Sequence, residues 1–107
     1  MTEKLAARVL HTAELVGYQE GAVVSRTLIN QKTGAVTLFA FDAGQELSEH
    51  TAPYEALVQV LDGKTHITIA GQPYQLQAGD AIIMPANDPH AVKALTKFKM
   101  MLTMIRS

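Results

Sequence analysis

Apolar residues along the chain come in short runs, nine of them, at 22–29, 36–41, 46–52, 56–61, 64–70, 74–77, 81–84, 91–95 and 98–105. The segments that separate them, including Lys32-Thr33-Gly34, Ala43-Gly44-Gln45, Gly71-Gln72-Pro73, Ala78-Gly79-Asp80 and Asn87-Asp88-Pro89, are rich in residues that tolerate turn geometry. Short strands at roughly ten-residue spacing, with no long helical pattern between them, predict an all-β domain. Two antiparallel sheets, packed together or closed into a barrel, fit this rhythm better than a parallel α/β sheet. Runs such as 58–61 and 81–84 are apolar at both odd and even positions, so these strands are expected to be covered on both faces. One face would look into a barrel and the other onto a second sheet or subunit.

The stretch 44–63 organises the rest. It carries His50, a break at Pro53 and the apolar run 56–61, closed by Asp62-Gly63. Asp-Gly between two strand-forming runs is the signal of a type I′ hairpin, because both central residues must take positive φ. The expectation here is a buried strand that folds straight back on itself. Residues 1–20 are less informative: Leu5, Val9, Leu10, Ala13, Leu15 and Val16 suit a few helical turns or a short strand equally. No internal repeat, low-complexity segment or linker is visible.

With 107 residues the chain has room for one domain, 1–107, with a core of useful size. A net charge of −1 provides no broad basic surface, which argues against nucleic acid as a partner. The absence of cysteine rules out disulfides and thiol chemistry and fits a reducing compartment. Glu3, Lys4 and Arg8 interrupt any signal-peptide core, and no 18-residue apolar segment occurs, so a soluble cytoplasmic protein without membrane contact is expected. Ser25 and Ser48 have no histidine at a spacing that implies a nucleophile–base pair, and the glycines are single turn residues rather than a phosphate-binding pattern.

Two segments together carry a family likeness. One runs from Gly44 through His50 to Gly63; the other is Gly79-Asp80-Ala81-Ile82-Ile83-Met84-Pro85-Ala86-Asn87-Asp88-Pro89-His90. Their order, and the short separation at 64–78, resemble the two motifs of small single-domain cupins. The resemblance lies within 44–94 and implies a jelly-roll barrel, a double-stranded β-helix of two antiparallel sheets. It also implies a divalent ion held inside the barrel by two histidines and a glutamate of the first motif and a histidine of the second.

On that resemblance His50 matches the first histidine and His90 the last, while Ala52 and Ala56 stand where the second histidine and the glutamate would be. Asn87 replaces a glycine and Ala94 an asparagine. Glu55 is one residue away from the glutamate position, and a one-residue slip in a strand turns a side chain to the other face unless a bulge near Pro53 re-aims it. Tyr54 has the parity of His50 and could cover the barrel mouth. His66 is expected to face outward, and nothing connects His11 to the site.

The cofactor expectation is therefore none, or a weakly bound Zn, Fe, Mn or Ni ion on His50 and His90 with Glu55 as a further candidate, because zinc and the oxygenase triad both want more protein ligands than two. The alanines leave space in a greasy pocket that His50, His90, Tyr54, Phe39, Val58, Met84 and Met101 are expected to line; Phe41, Val60 and alternate residues of 98–104 are further candidates. Methionine adapts to irregular cavities, although ordinary core filling also explains a cluster of them. The first functional reading is a small-molecule-binding cupin with a degenerate metal site. The others are a metal-dependent dioxygenase, isomerase or decarboxylase using His50 and His90, and a structural or regulatory dimer with an empty barrel. Residues 1–35 are read as a leader and dimerisation strand. The segment 22–29 is long and apolar for an edge, and the likeness to small cupins makes it the expected homodimer contact.

Overall fold

The computed structural model describes residues 5–106; Glu3 and Lys4 of the leader lie outside the described residues. Nine strands follow a short 3₁₀ turn at Thr12–Glu14: β1 Val23–Gln31, β2 Gly34–Phe41, β3 Glu46–His50, β4 Glu55–Asp62, β5 Lys64–Ile69, β6 Gln72–Gln77, β7 Ala81–Met84, β8 His90–Ala94 and β9 Phe98–Ile105. Each sits on one of the nine apolar runs of the sequence. They form a five-stranded sheet ordered β1-β2-β9-β4-β7 and a four-stranded sheet ordered β3-β8-β5-β6. Every pairing is antiparallel. From β2 onward the chain passes back and forth between the sheets, except at the hairpin of β5 and β6 within the smaller one. Two antiparallel sheets are what the strand rhythm predicts, and the jelly-roll arrangement is what the family resemblance implies. Among the described residues no helix is long and apolar enough to cross a membrane.

The core lies between the sheets. Phe41, Val58, Val60, Phe98 and Met100 from the larger sheet meet Ile67, Ile69, Val92, Ala94 and Leu76 from the smaller one. The rings of Phe41 and Phe98, paired across β2 and β9, stack with centroids 4.7 Å apart. Thr65 is the polar member of this layer, and its buried hydroxyl donates to the Lys93 carbonyl at 2.9 Å, which removes the cost of burying it.

A second apolar layer covers part of the outer face of the larger sheet. Leu15, Val16 and Tyr18 pack over Val24, Leu28, Leu38, Ala40, Leu61 and Met101. The leader is pinned there by Lys99, whose ammonium donates to the Ala13 carbonyl at 2.6 Å, and by the Tyr18 hydroxyl, which donates to Asp62 at 2.5 Å. Burial, followed by the Asp62 carboxylate, pushes the Tyr18 phenol well above its ordinary pKa. So the apolar residues on the outward parity of β1, β2 and β9 answer to the chain's own leader.

The Asp62-Gly63 expectation needs correction. β4 pairs with β7 and β9, and β5 with β6 and β8, so Asp62-Gly63 is a corner between sheets rather than a hairpin. Asp62 is not in positive φ; Gly63 is, at 75°, and a Cβ there would stand 1.9 Å from the Lys97 carbonyl oxygen. The type I′ signature instead falls on Ala70 and Gly71, at φ 49° and 81°, which join β5 to β6. A run that is apolar at both parities can find its partners in more than one direction. Turn chemistry alone does not say which strand comes next to it.

Candidate functional site

The site is built where β3 ends and β8 begins. Leu47 pairs with Val92 and His50 with His90, so β3 uses three residues where β8 uses two. This extra residue is a β-bulge, and it shifts the alternation of side chains by one. In a regular strand Glu49 would stand opposite His90; the bulge puts His50 there instead. On the other side, the loop leading to His90 is held by Asn87, whose N–H donates to the Ala52 carbonyl at 2.8 Å. Asn87 sits at φ 70°, a conformation asparagine tolerates, which explains how it serves where the motif has glycine.

Both histidines use the same local device. His50 Nδ1 donates to the Ser48 carbonyl at 2.8 Å, and His90 Nδ1 donates to the Asp88 carbonyl at 3.2 Å. A carbonyl oxygen can only accept, so each neutral ring carries its proton on Nδ1 and a lone pair on Nε2. The two Nε2 atoms face each other at 3.1 Å, with the rings nearly perpendicular at 74°. His90 is 6% exposed. Burial holds its pKa below the ordinary histidine value, the neighbouring His50 lowers it further, and the Asp88 carbonyl opposes both.

The imidazoles open into a cavity of about 60 Å³. Ala56, Met84, Met100, Leu102 and Met104 from the larger sheet and Leu47 and Val92 from the smaller one form its walls, and Ala52 and Tyr54 line its rim. Ala56 is the register partner of both Met84 and Met104, so two methionines flank a position that carries only a methyl group.

The cupin-domain family model matches residues 37–106. The chain belongs to the cupin family. Among solved structures this cupin is 36% identical to a conserved protein of unknown function from Streptococcus pyogenes, with a TM-score of 0.90 over 94% of this chain and 89% of that one. A cupin superfamily protein from Desulfitobacterium hafniense matches at 29% identity and TM-score 0.89, covering 94% and 93% of the two chains. A cupin 2 conserved barrel domain protein from Leptotrichia buccalis is 40% identical at TM-score 0.84; the match covers 87% of this chain but 45% of that longer one. No curated protein matches the chain.

Of the residues expected to line the cupin pocket, the structure brings His50, Tyr54, Met84 and His90 together. Three others lie elsewhere. Val58 is fully buried in the core and Phe39 packs at the core's margin, neither of them reaching the pocket wall. Met101 has the opposite parity to Met100 and faces the leader. Glu55 stands on the outer face of the larger sheet, in a shallow depression with Leu57, Ile83, Thr103 and Ile105. His66 lies on the outer face of the smaller sheet beside Glu46 and Lys93. The pocket also takes in Val92, which has the parity of His90 on β8, and Leu47, which shares a face with His50 only because of the β3 bulge, a feature that leaves no mark in the sequence pattern.

The residues fit a metal only in part. Two Nε2 lone pairs 3.1 Å apart, each ring oriented by a backbone carbonyl, have the spacing of two neighbouring ligands on an ion with bonds of about 2.0–2.1 Å. Beyond them the shell is short: Ala52 and Ala56 hold the other two cupin ligand positions, and Glu55 points away. Among the described residues no group of three or more His, Cys, Asp or Glu could hold an ion. Structural zinc, catalytic zinc and the oxygenase triad all need more than is present.

Proposed function

We propose that this cupin is a small-molecule-binding protein in which the His50–His90 pair, rather than a complete metal centre, is the recognition element. The carrying observation is the pair of Nε2 atoms at 3.1 Å, both with lone pairs free of ring protons, at the polar end of an apolar pocket. An apolar cleft with a few convergent polar groups is the usual form of a ligand site. The test is ligand screening by thermal shift on wild type and on the double variant His50→Ala/His90→Ala. Hits that stabilise the wild type and not the variant support the reading; hits that stabilise both equally remove the imidazoles from recognition.

A metal-dependent reading is favoured by one observation, the carbonyl-oriented rings whose Nε2 atoms are spaced as neighbouring ligands. It is separated from the first by elemental analysis of protein purified without a polyhistidine tag. Near-stoichiometric transition metal that disappears in His90→Ala supports it; metal far below one per chain in both sinks it.

The proposal includes a homodimer through 22–29. Among the described residues β1 is an edge of the larger sheet with one side unpaired, and its Ile29 is 52% exposed. Exposed edges of this kind are normally covered. Ile29→Lys should lower the mass in solution toward that of one chain, read by light scattering after size exclusion; an unchanged dimer mass counts against this contact.

A further inference from the structure

The polar end of the pocket is made of acceptors. Both ring protons of the histidine pair are committed to the carbonyls of Ser48 and Asp88, so the pocket is offered two lone pairs 3.1 Å apart. Two lone pairs at that distance repel unless a hydrogen or a cation lies between them. On His90 an extra ring proton would place a positive charge at a group that is 6% exposed and walled by apolar side chains; His50 is exposed, and an imidazole there is ordinarily neutral at pH 8. A metal ion would find a short shell. A neutral ligand that brings its own O–H supplies the missing hydrogen without adding charge.

The walls narrow the choice. Among the described residues no lysine or arginine lines the pocket, so a carboxylate or phosphate would bring more lone pairs and find no cation to meet them. An ammonium group would have to leave water for an apolar cavity with no anion in it. The body of the ligand faces Met84, Met100 and Met104, whose thioethers make favourable contacts with ring edges and whose chains are flexible. A benzene-sized ligand occupies a cavity of about 150 Å³, larger than the roughly 60 Å³ of resting space here, so a single ring enters only as those flexible methionines give way.

We infer that the pocket selects a small neutral hydroxyl compound with an apolar body, a one-ring phenol being the best match, held by its O–H shared between Nε2 of His50 and Nε2 of His90. This rests on the reading of the pocket as a ligand site. No bond is made or broken; the hydroxyl donates and the imidazoles accept. The Tyr54 ring, 36% exposed at the rim, closes over the ligand's outer edge.

The test is a titration of chelator-treated protein with phenol, toluene and benzoate at pH 8, followed by the methionine methyl and histidine ring signals in NMR. Phenol is expected to shift Met84, Met100 and Met104 methyls and both histidine rings, and toluene to bind at least about tenfold more weakly, since it leaves both acceptors unmatched. Benzoate is expected to give no shifts. In His50→Ala the preference for phenol over toluene should shrink while toluene binding persists. Toluene binding as tightly as phenol to the wild type overturns the hydroxyl inference but leaves a ligand pocket in place. Benzoate binding more tightly than phenol overturns it too, because the pair would then be carrying a proton. No shift with any of the three compounds overturns both the inference and the ligand-site reading beneath it.

Discussion

His90 faces His50 across a strand pair in which β3 carries one residue more than β8, so the bulge decides which side chain meets the buried imidazole. The contact between the two Nε2 atoms has a direct electrostatic consequence. His50 is the second cause of the lowered His90 pKa, after burial. In His50→Ala the His90 pKa should therefore rise toward its ordinary value without reaching it, as measured by an NMR titration of its ring protons. No rise would mean that the two rings do not sense each other's charge.

The same shift predicts how stability changes with pH. Folded His90 has a lower pKa than unfolded histidine, about 6.5, so on acidification the unfolded chain takes up the proton first. The contribution of this group is fully present above about pH 6.5 and is lost as pH falls below it. Urea denaturation of wild type and His90→Gln at pH 7.5 and 5.5 isolates the effect: the wild type should lose more stability on acidification than the variant. Equal losses would remove His90 as the cause.

Restoring the missing carboxylate should rebuild a metal site. Ala56 lies on the pocket wall between Met84 and Met104, and Ala56→Glu would add a third ligand on the correct face. Competition with a chromophoric chelator should show zinc affinity at least about a hundredfold above wild type, in line with the three protein ligands of catalytic zinc sites. Without metal the variant should melt at a lower temperature than wild type, because a buried carboxylate has no partner there, and zinc should recover the loss. Wild-type zinc affinity in the variant would show that the pocket cannot gather three ligands.

The two correctly and incorrectly expected turns lend themselves to paired substitutions. Gly63→Ala would force a Cβ into the Lys97 carbonyl at a positive φ, whereas Gly79→Ala, at φ 96°, meets nothing within 4 Å. Chemical denaturation should show Gly79→Ala costing about 1–2 kcal/mol from backbone strain alone and Gly63→Ala distinctly more. Equal costs would mean that the corner yields.

At the type I′ turn, Ala70 occupies a left-handed position that asparagine fills more readily. Ala70→Asn should raise stability by about 0.5–1 kcal/mol in the same assay. A loss would show that the turn is set by something other than its backbone angles.

How much of this was legible depends on the scale of the feature. Strand positions were, because each needs only a short apolar run between turn residues, and His50 and His90 were, because the family likeness places both in the barrel. Strand partners were not. The run at β4 is apolar at both parities apart from Gln59, so nothing in it says that β7 and β9, rather than β5, lie alongside. Met101 was misplaced for a related reason: Met100 turns into the core while Met101 is apolar because the leader covers it. The β3 bulge was invisible because one extra residue between Leu47 and His50 changes facing without changing composition.

β9 serves two clients at once. Its Met100, Leu102 and Met104 wall the pocket, while Met101 and the Lys99 ammonium hold the leader on the far side of the same strand. The pocket wall and the seat of Leu15, Val16 and Tyr18 are thus two faces of one layer of backbone, so a substitution that repacks either face of β9 is felt at the other.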